Sequence, residues 1–136
     1  MKVDTQFSVP HEDMKHKDTL LQLLKERAYR KGQYTLSSGK ESEHYVNCKP
    51  VTLSCEGNAL LSHVMIKYIE KDAVAVGGLT LGADPLVIGI AQKAYYKGNR
   101  HLDALIVRKN PKGYGTKEAI EGNKPRKGAV VTVLED

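Results

Sequence analysis

The chain has 136 residues, of which 40% are hydrophobic and 27% charged, and its net charge is +5. This length suits a single domain, and no apolar run is long enough to cross a bilayer. Residues 1–16 are a polar lead-in without the apolar stretch of a signal peptide. We therefore exclude membrane-spanning and signal-bearing classes and expect a cytoplasmic domain over residues 17–136.

The sequence pattern of the N-terminal part predicts one helix and two short strands. Apolar residues recur at helical spacing over residues 17–31, and Gly32 is a natural helix end. Residues 33–36 and 45–48 are predicted strands, the second ended by Pro50. The composition of the segment between them, Ser-Ser-Gly-Lys, is typical of a turn.

The remainder of the chain alternates helices with short, wholly apolar strands. Such alternation predicts an α/β fold, a Rossmann-like parallel sheet flanked by helices on both faces. The predicted order is helix, strand, helix, strand, loop and strand, over residues 56–71, 73–76, 83–97, 102–107, 108–127 and 129–134.

Two cysteines, Cys48 and Cys55, lie seven residues apart without Cys or His partners at metal-ligand spacing. We interpret them as free thiols in a reducing compartment. A disulfide or a metal site is the alternative.

Three segments that could bind a ligand follow the predicted strands. Gly77-Gly78 follows the first, Arg108-Lys109 the second and Glu135-Asp136 the third. In open parallel sheets ligands bind beyond the carboxyl ends of the strands. The three segments are therefore predicted to meet at one edge of the sheet.

The first segment, VGGLTLGADP, has the strand, glycine-rich turn and helix start that can hold a phosphate. Glycines let backbone N–H groups approach the oxygens, and a helix N-terminus adds positive potential. The segment is neither GxGxxG nor a Walker sequence, which argues against a dinucleotide or P-loop site. A tight strand-to-helix turn without a ligand is the alternative.

The second segment, VRKNPKGYGTKEAIEG, lies within a basic region. Residues 93–127 hold ten Lys or Arg and three Asp or Glu, so this region attracts an anion. A cationic, glycine-containing loop can close over a polyphosphate and exclude water. A solvated surface loop and nucleic-acid binding are the alternatives, although one Phe and no Trp argue against base stacking.

The third segment, VVTVLED, ends in two consecutive carboxylates. Carboxylates at the end of a buried strand suit the water shell of Mg²⁺ or the hydroxyls of a sugar. Ordinary solvated acids at a strand end are the alternative.

Together these segments resemble the type I phosphoribosyltransferases, and among them the orotate phosphoribosyltransferases, from about residue 20 to residue 136. Four stretches carry the resemblance in the family's order, and the first of them implies a small N-terminal hood beside the sheet. They are GQYTLSSGKESEHYVNCKPVTL, VGGLTLGADPL, VRKNPKGYGTKEAIEG and VVTVLED.

The resemblance implies transfer of ribose 5-phosphate from phosphoribosyl diphosphate to orotate, with Mg²⁺, in pyrimidine (UMP) biosynthesis. It also implies a homodimer that shares catalytic loop 108–118 across subunits, without nucleic-acid or membrane partners. Another purine or pyrimidine phosphoribosyltransferase, or a phosphoribosyltransferase-like regulator that binds nucleic acid, is the alternative.

The site roles follow from the same resemblance, residue by residue. The implied catalytic cations are Lys112, Arg108 and Lys109. The implied phosphoribosyl diphosphate contacts are Arg108, Lys109, Lys112, Tyr114, Gly78, Leu79, Thr80, Leu81, Gly82, Glu135 and Asp136. Ser37, Ser38, Gly39 and Lys40 are implied on the orotate side. Mg²⁺ would be held through diphosphate and water near Glu135 and Asp136, without direct protein ligands.

Two departures from the family pattern bear on these expectations. Tyr114 stands where many relatives have His, and a tyrosine is not cationic near neutral pH. Family members also continue past the acid pair into a loop that holds the 5'-phosphate. We therefore expect the domain to be incomplete, this chain to be nearly inactive, and its last strand to expose apolar surface and an edge.

Overall fold

The computed structural model describes residues 11–110 and 118–136. Helix α1 covers His11–Leu23 and continues as a π-helical segment, Leu24–Ala28, so the lead-in boundary drawn at residue 17 falls inside a helix. The predicted helical end at residue 31 is wrong. Tyr29 is already extended and pairs with Val46, and this tertiary pairing overrides the local helical pattern.

Strands β1 (Tyr29–Thr35) and β2 (Glu41–Val46) form a separate two-stranded antiparallel sheet. Both are longer than predicted, and the turn between them lies where the sequence placed it. Gly39 has φ +79°, a left-handed conformation that glycine adopts without strain. Pro50 does not end a strand, because β2 stops at Val46.

Three helices accompany the larger sheet, and the last of them packs directly on it. Pro50 lies in the first turn of the short helix α2 (Lys49–Thr52), where no backbone N–H is needed. Helix α3 (Cys55–Met65) is capped by the Ser54 hydroxyl, which accepts from the Gly57 N–H at 3.1 Å, and it runs into the 3₁₀ turn Ile66–Tyr68. Helix α4 covers Asp84–Gly98.

The larger sheet has the order β5-β4-β3-β6, with β3 (Ala73–Leu79), β4 (Asp103–Val107) and β6 (Val130–Leu134) parallel. The α/β fold class is confirmed. The predicted loop 108–127 contains a two-residue strand, β5 (Ile120–Glu121), that pairs antiparallel with β4. No local pattern indicates β5, since two residues show no periodicity.

Two apolar clusters hold these elements together. The larger one joins α4 to the sheet, and the smaller one joins α1 to α3 and α2. The buried members of the first are Ile69, Ala73, Val76, Leu86, Val87, Ile90, Ala94, Leu102 and Leu134. Those of the second are Leu20, Leu23, Ala28 and Val51.

Helices were predicted on both faces of the sheet, but among the described residues a helix packs on one face only. In the described ranges α4 packs on β3 and β4, while Val133 on the other face is 75% exposed. A groove of 370 Å³ on that face is lined by Val131, Val133, Lys124 and Pro125 among others. Edge strand β6 pairs with β3 alone within the described sheet, as the sequence predicts. No described helix is long and apolar enough to span a bilayer.

Ile90→Ala should lower the free energy of unfolding by about 2–5 kcal/mol, because Ile90 is fully buried between α4 and the sheet. Chemical denaturation followed by circular dichroism measures the loss. Ile88→Ala is the matched control on the same helix, since Ile88 is 45% exposed. Equal losses in the two variants would contradict the assigned core face of α4.

Candidate active site

The carboxyl ends of β3, β4 and β6 lie side by side, which confirms the predicted meeting of the three segments. Leu79 is in register with Val107, and Gly78 is in register with Leu134. The residues that follow these strands are therefore neighbours, and we call this side of the sheet the carboxyl edge.

The glycine segment is arranged differently from the prediction. Gly77 and Gly78 belong to β3 rather than to the turn after it. A Cβ on Gly78 would collide with the Ala83 Cβ and lie 2.7 Å from the Leu134 carbonyl oxygen. Gly78 is thus needed for the close approach of β3 to β6 and to the start of α4.

The turn itself covers residues 80–83 and is tied to β4. The Thr80 N–H donates to the Val107 carbonyl at 2.8 Å, and the Ala83 N–H donates to the Leu79 carbonyl at 3.2 Å. The Thr80–Leu81 peptide is cis. Leu81 is 64% exposed, whereas Gly82 and Ala83 are buried, so the turn reaches solvent chiefly at Leu81.

Helix α4 begins with Asp84, and Pro85 lies in its first turn as predicted. The Thr80 hydroxyl donates to Asp84 Oδ2 at 2.8 Å, whereas the buried Oδ1 has no hydrogen-bond partner among the described residues. The Asp84 carboxylate interacts favourably with the positive end of the helix dipole, but it repels an anion that would bind at the same helix end. The α4 N-terminus is therefore poorly suited to bind a phosphate.

The acid pair lies over this turn. The Asp136 carboxylate occupies the space where a Cβ on Gly82 would be, so a side chain at residue 82 would displace this carboxylate. Lys49 Nζ is 3.4 Å from Asp136 Oδ2, with the two side chains 42% and 25% exposed. Glu135, the other member of the pair, is exposed.

Sequence reasoning missed Lys49 and Asp84. The sequence placed Lys49 at the end of a strand, and only the fold brings the start of α2 to the end of β6. Asp84 does carry a local signal, because an acid before Pro85 is typical of a helix start. Its buried oxygen becomes visible only in the packed structure.

The basic segment is partly described. The Arg108 N–H donates to the Ala119 carbonyl at 2.7 Å, and Arg108 Nε lies 2.8 Å from Glu121 Oε1. The β4–β5 pairing therefore places a carboxylate on the guanidinium that the sequence assigned to diphosphate. Lys109 is exposed. The predicted contacts Lys112 and Tyr114 lie outside the described residues.

The predicted orotate-side residues 37–40 are exposed at the tip of the β1–β2 hairpin. Backbone bonds from Leu36 N–H to Lys40 O at 2.9 Å and from Gly39 N–H to Leu36 O at 2.8 Å hold the turn. No hydrogen bond between described residues joins it to the carboxyl edge. The structure groups the predicted diphosphate-side segments and leaves the predicted orotate-side segment apart.

Cys48 and Cys55 are both free, as predicted. Burial raises the pKa of the Cys48 thiol, the nearby Asp136 carboxylate raises it further, and Lys49 partly opposes this effect. The pKa of the Cys48 thiol therefore depends on the charge at the end of β6.

The oxygen donors at the carboxyl edge suit a hard divalent cation such as Mg²⁺. They include the Glu135 and Asp136 carboxylates and the unpartnered Asp84 Oδ1. Lys49 already neutralises part of the charge on Asp136, which favours a hydrated ion over direct coordination at that carboxylate.

Comparison with known proteins agrees with this architecture. The chain is 53% identical over 117 residues to an orotate phosphoribosyltransferase of Thermosynechococcus vestitus, covering 86% of this chain and 61% of that protein. It is 46% identical to an orotate phosphoribosyltransferase of Nostoc, over 86% of this chain and 56% of that protein. No protein-family model matches the chain.

A crystal structure of Mycobacterium tuberculosis orotate phosphoribosyltransferase in complex with Fe(III) dicitrate superposes with a TM-score of 0.71 and 36% identity. The match covers 89% of this chain and 67% of that one. The same enzyme in complex with 5-phospho-alpha-D-ribosyl 1-diphosphate gives a TM-score of 0.66 and 34% identity, over 89% and 64% of the two chains.

The sheet, its helices and this likeness define the type I phosphoribosyltransferase fold. The chain belongs to the orotate phosphoribosyltransferase family. It spans about three-fifths of the length of the curated relatives it matches.

Gly78→Ala should destabilise the protein by about 1–3 kcal/mol, because the new methyl group collides with Ala83 and the Leu134 carbonyl. Thermal and urea unfolding measure the change. Gly77→Ala is the neighbouring control, since its Cβ would meet only ordinary contacts from 3.4 Å outward. Similar stability in both variants would contradict the close approach at Gly78.

Asp136→Asn should lower the Cys48 pKa and speed alkylation of this thiol near neutral pH, because the thiolate is the reacting form. The pH dependence of iodoacetamide labelling in a Cys55→Ser background measures it. Glu135→Gln is the matched control. If both variants shift the pKa equally, Asp136 does not have the position described here.

Proposed function

We propose that this chain is part of an enzyme that transfers ribose 5-phosphate from phosphoribosyl diphosphate to orotate. The products are orotidine 5'-monophosphate and pyrophosphate, in de novo pyrimidine synthesis. The observation that carries this proposal is that the turn at residues 80–83, the cationic end of β4 and the acid pair meet at one edge of the sheet. The chain that carries them is 53% identical to an orotate phosphoribosyltransferase of Thermosynechococcus vestitus.

Each segment of the edge has a part suited to its chemistry. The N–H groups of Leu81 and Gly82 would contact the diphosphate, because the Thr80 N–H already donates to Val107. The Glu135 and Asp136 carboxylates would accept hydrogen bonds from the ribose hydroxyls. Lys49, held at Asp136, would keep that carboxylate in place over Gly82. Residues 37–40 would meet orotate, by movement of the hairpin or in the assembled dimer.

The cations of loop 108–118 would act on the leaving group. Cleavage of the ribose–diphosphate bond leaves negative charge on pyrophosphate, which Arg108, Lys109 and Lys112 would stabilise. The bidentate guanidinium would exchange Glu121 for phosphate oxygens. The Arg108–Glu121 pair then keeps the guanidinium oriented while no diphosphate is bound.

Mg²⁺ would supply charge neutralisation of the diphosphate, held through water near Glu135 and Asp136. We further propose a homodimer in which loop 108–118, including Tyr114, reaches the partner's site. A reducing compartment such as the cytoplasm suits the two free cysteines.

The test uses a chimera of residues 1–136 followed by the C-terminal part of the Thermosynechococcus vestitus relative. Orotate absorbance should fall when phosphoribosyl diphosphate and Mg²⁺ are both added. Uracil and hypoxanthine serve as alternative acceptors. Consumption of either one in place of orotate, or of none of the three, would overturn the proposal.

Lys112→Ala in that chimera should lower kcat by about 100-fold and change orotate binding much less, because the cation acts on charge that develops in the transition state. Steady-state kinetics and an orotate binding titration separate the two effects. Lys127→Ala, in the same basic region but beyond the loop, is the control. An unchanged kcat for Lys112→Ala would contradict its catalytic role.

A further inference from the structure

A histidine–carboxylate cluster lies between α1 and α3, on elements that carry none of the carboxyl-edge residues. Asp13 and His16 are on α1, three residues apart and thus on one face of the helix. His63 is on the facing side of α3. One ligand atom from each of these three residues lies within 4.8 Å of the other two.

The two carboxylate oxygens of Asp13 have different partners. His63 Nε2 is 3.1 Å from Oδ1, while the Lys67 ammonium contacts Oδ2. Hydrogen bonds from Lys67 and then His63 hold the pKa of Asp13 below its usual value. Because Lys67 contacts Oδ2, Oδ1 is left facing His63.

His16 is the member of the cluster for which the structure gives no ion pair among the described residues. Its Nδ1 is buried and has no hydrogen-bond partner among the described residues. The His16 and His63 rings lie 4.2 Å apart between centroids, with 47° between their planes. A buried ring nitrogen without a partner is costly, and a metal ion that accepts its lone pair removes that cost.

The distances suit a small divalent ion after modest side-chain adjustment. Zn²⁺ binds imidazole nitrogen and carboxylate oxygen at about 2.0–2.2 Å, so tetrahedral ligand atoms lie about 3.3–3.6 Å apart. Asp13 Oδ1 and His63 Nε2 are 3.1 Å apart, slightly closer than this spacing. Ring rotations at His16 and His63 can bring the third donor in, because all three side chains are only partly buried.

We propose that Asp13, His16 and His63 form a binding site for a divalent transition metal such as Zn²⁺, with the remaining coordination position open to water. Imidazole nitrogen suits this class of ion better than Mg²⁺, which prefers oxygen ligands. The contact between α1 and α3 has an apolar part, in which Leu20, Leu23 and Val64 pack together. The metal joins the two helices at the polar part of the same contact. It therefore stabilises the N-terminal helix and takes no part in the carboxyl edge.

The test is a Zn²⁺ titration of the purified, chelator-treated 136-residue chain by isothermal calorimetry, with Co²⁺ absorption as a report on coordination. We expect one ion per chain, visible Co²⁺ bands typical of a four-coordinate site, and a rise in Tm with Zn²⁺. His16→Ala and His63→Gln should each weaken Zn²⁺ binding more than about tenfold, the lower limit for loss of even an outer partner of a metal site.

His101→Ala is the matched control, because His101 is exposed and contacts Tyr95 instead. In the unmutated chain, Zn²⁺ should shift the NMR resonances of His16 and His63 and leave those of His44 and His101 in place, so the test survives a variant that fails to fold. An affinity that is unaffected by His16→Ala and His63→Gln would overturn the proposal. So would Zn²⁺ shifts at His44 or His101 without shifts at His16 and His63.

Discussion

The close approach of three backbone segments at Gly78 determines the arrangement of everything at the carboxyl edge. Only a residue without a side chain lets β3 lie against the Leu134 carbonyl and beneath Ala83 at the start of α4. This approach sets how far β6 is from the turn at residues 80–83. It therefore decides that the Asp136 carboxylate rests on Gly82, and that the acid pair and the turn form one surface.

Two ion pairs lie on that surface. Lys49 lies at Asp136, and Arg108 lies at Glu121. Both pairs are partly exposed, where ion pairs contribute little to stability. Their structural role is to orient flexible side chains near the strand ends. Because each pair is weak, breaking it costs little free energy when one of its members binds a stronger partner of opposite charge.

Much of this arrangement could be predicted from the sequence. The apolar strands alternating with helices gave the α/β fold, and the segments after β3, β4 and β6 were predicted to share an edge because parallel strands end on the same side. The boundaries failed where tertiary pairing decides them, as at Tyr29, which leaves a helical pattern to pair with β2. Strand β5 and the Lys49 contact were equally invisible, since both depend on partners distant in the chain.

By itself, the sequence determined which residue types stand at the end of each strand, because local periodicity fixes the strands and the residues after them follow in order. Tertiary structure alone decided which of those residues touch. It placed Glu121 on Arg108, Asp136 over Gly82, and His63 beside the Asp13 and His16 pair of α1. These are contacts between separate elements that no local pattern connects. The physical reason is that contacts between separate elements depend on packing distances, which the folded backbone sets to within a few ångströms.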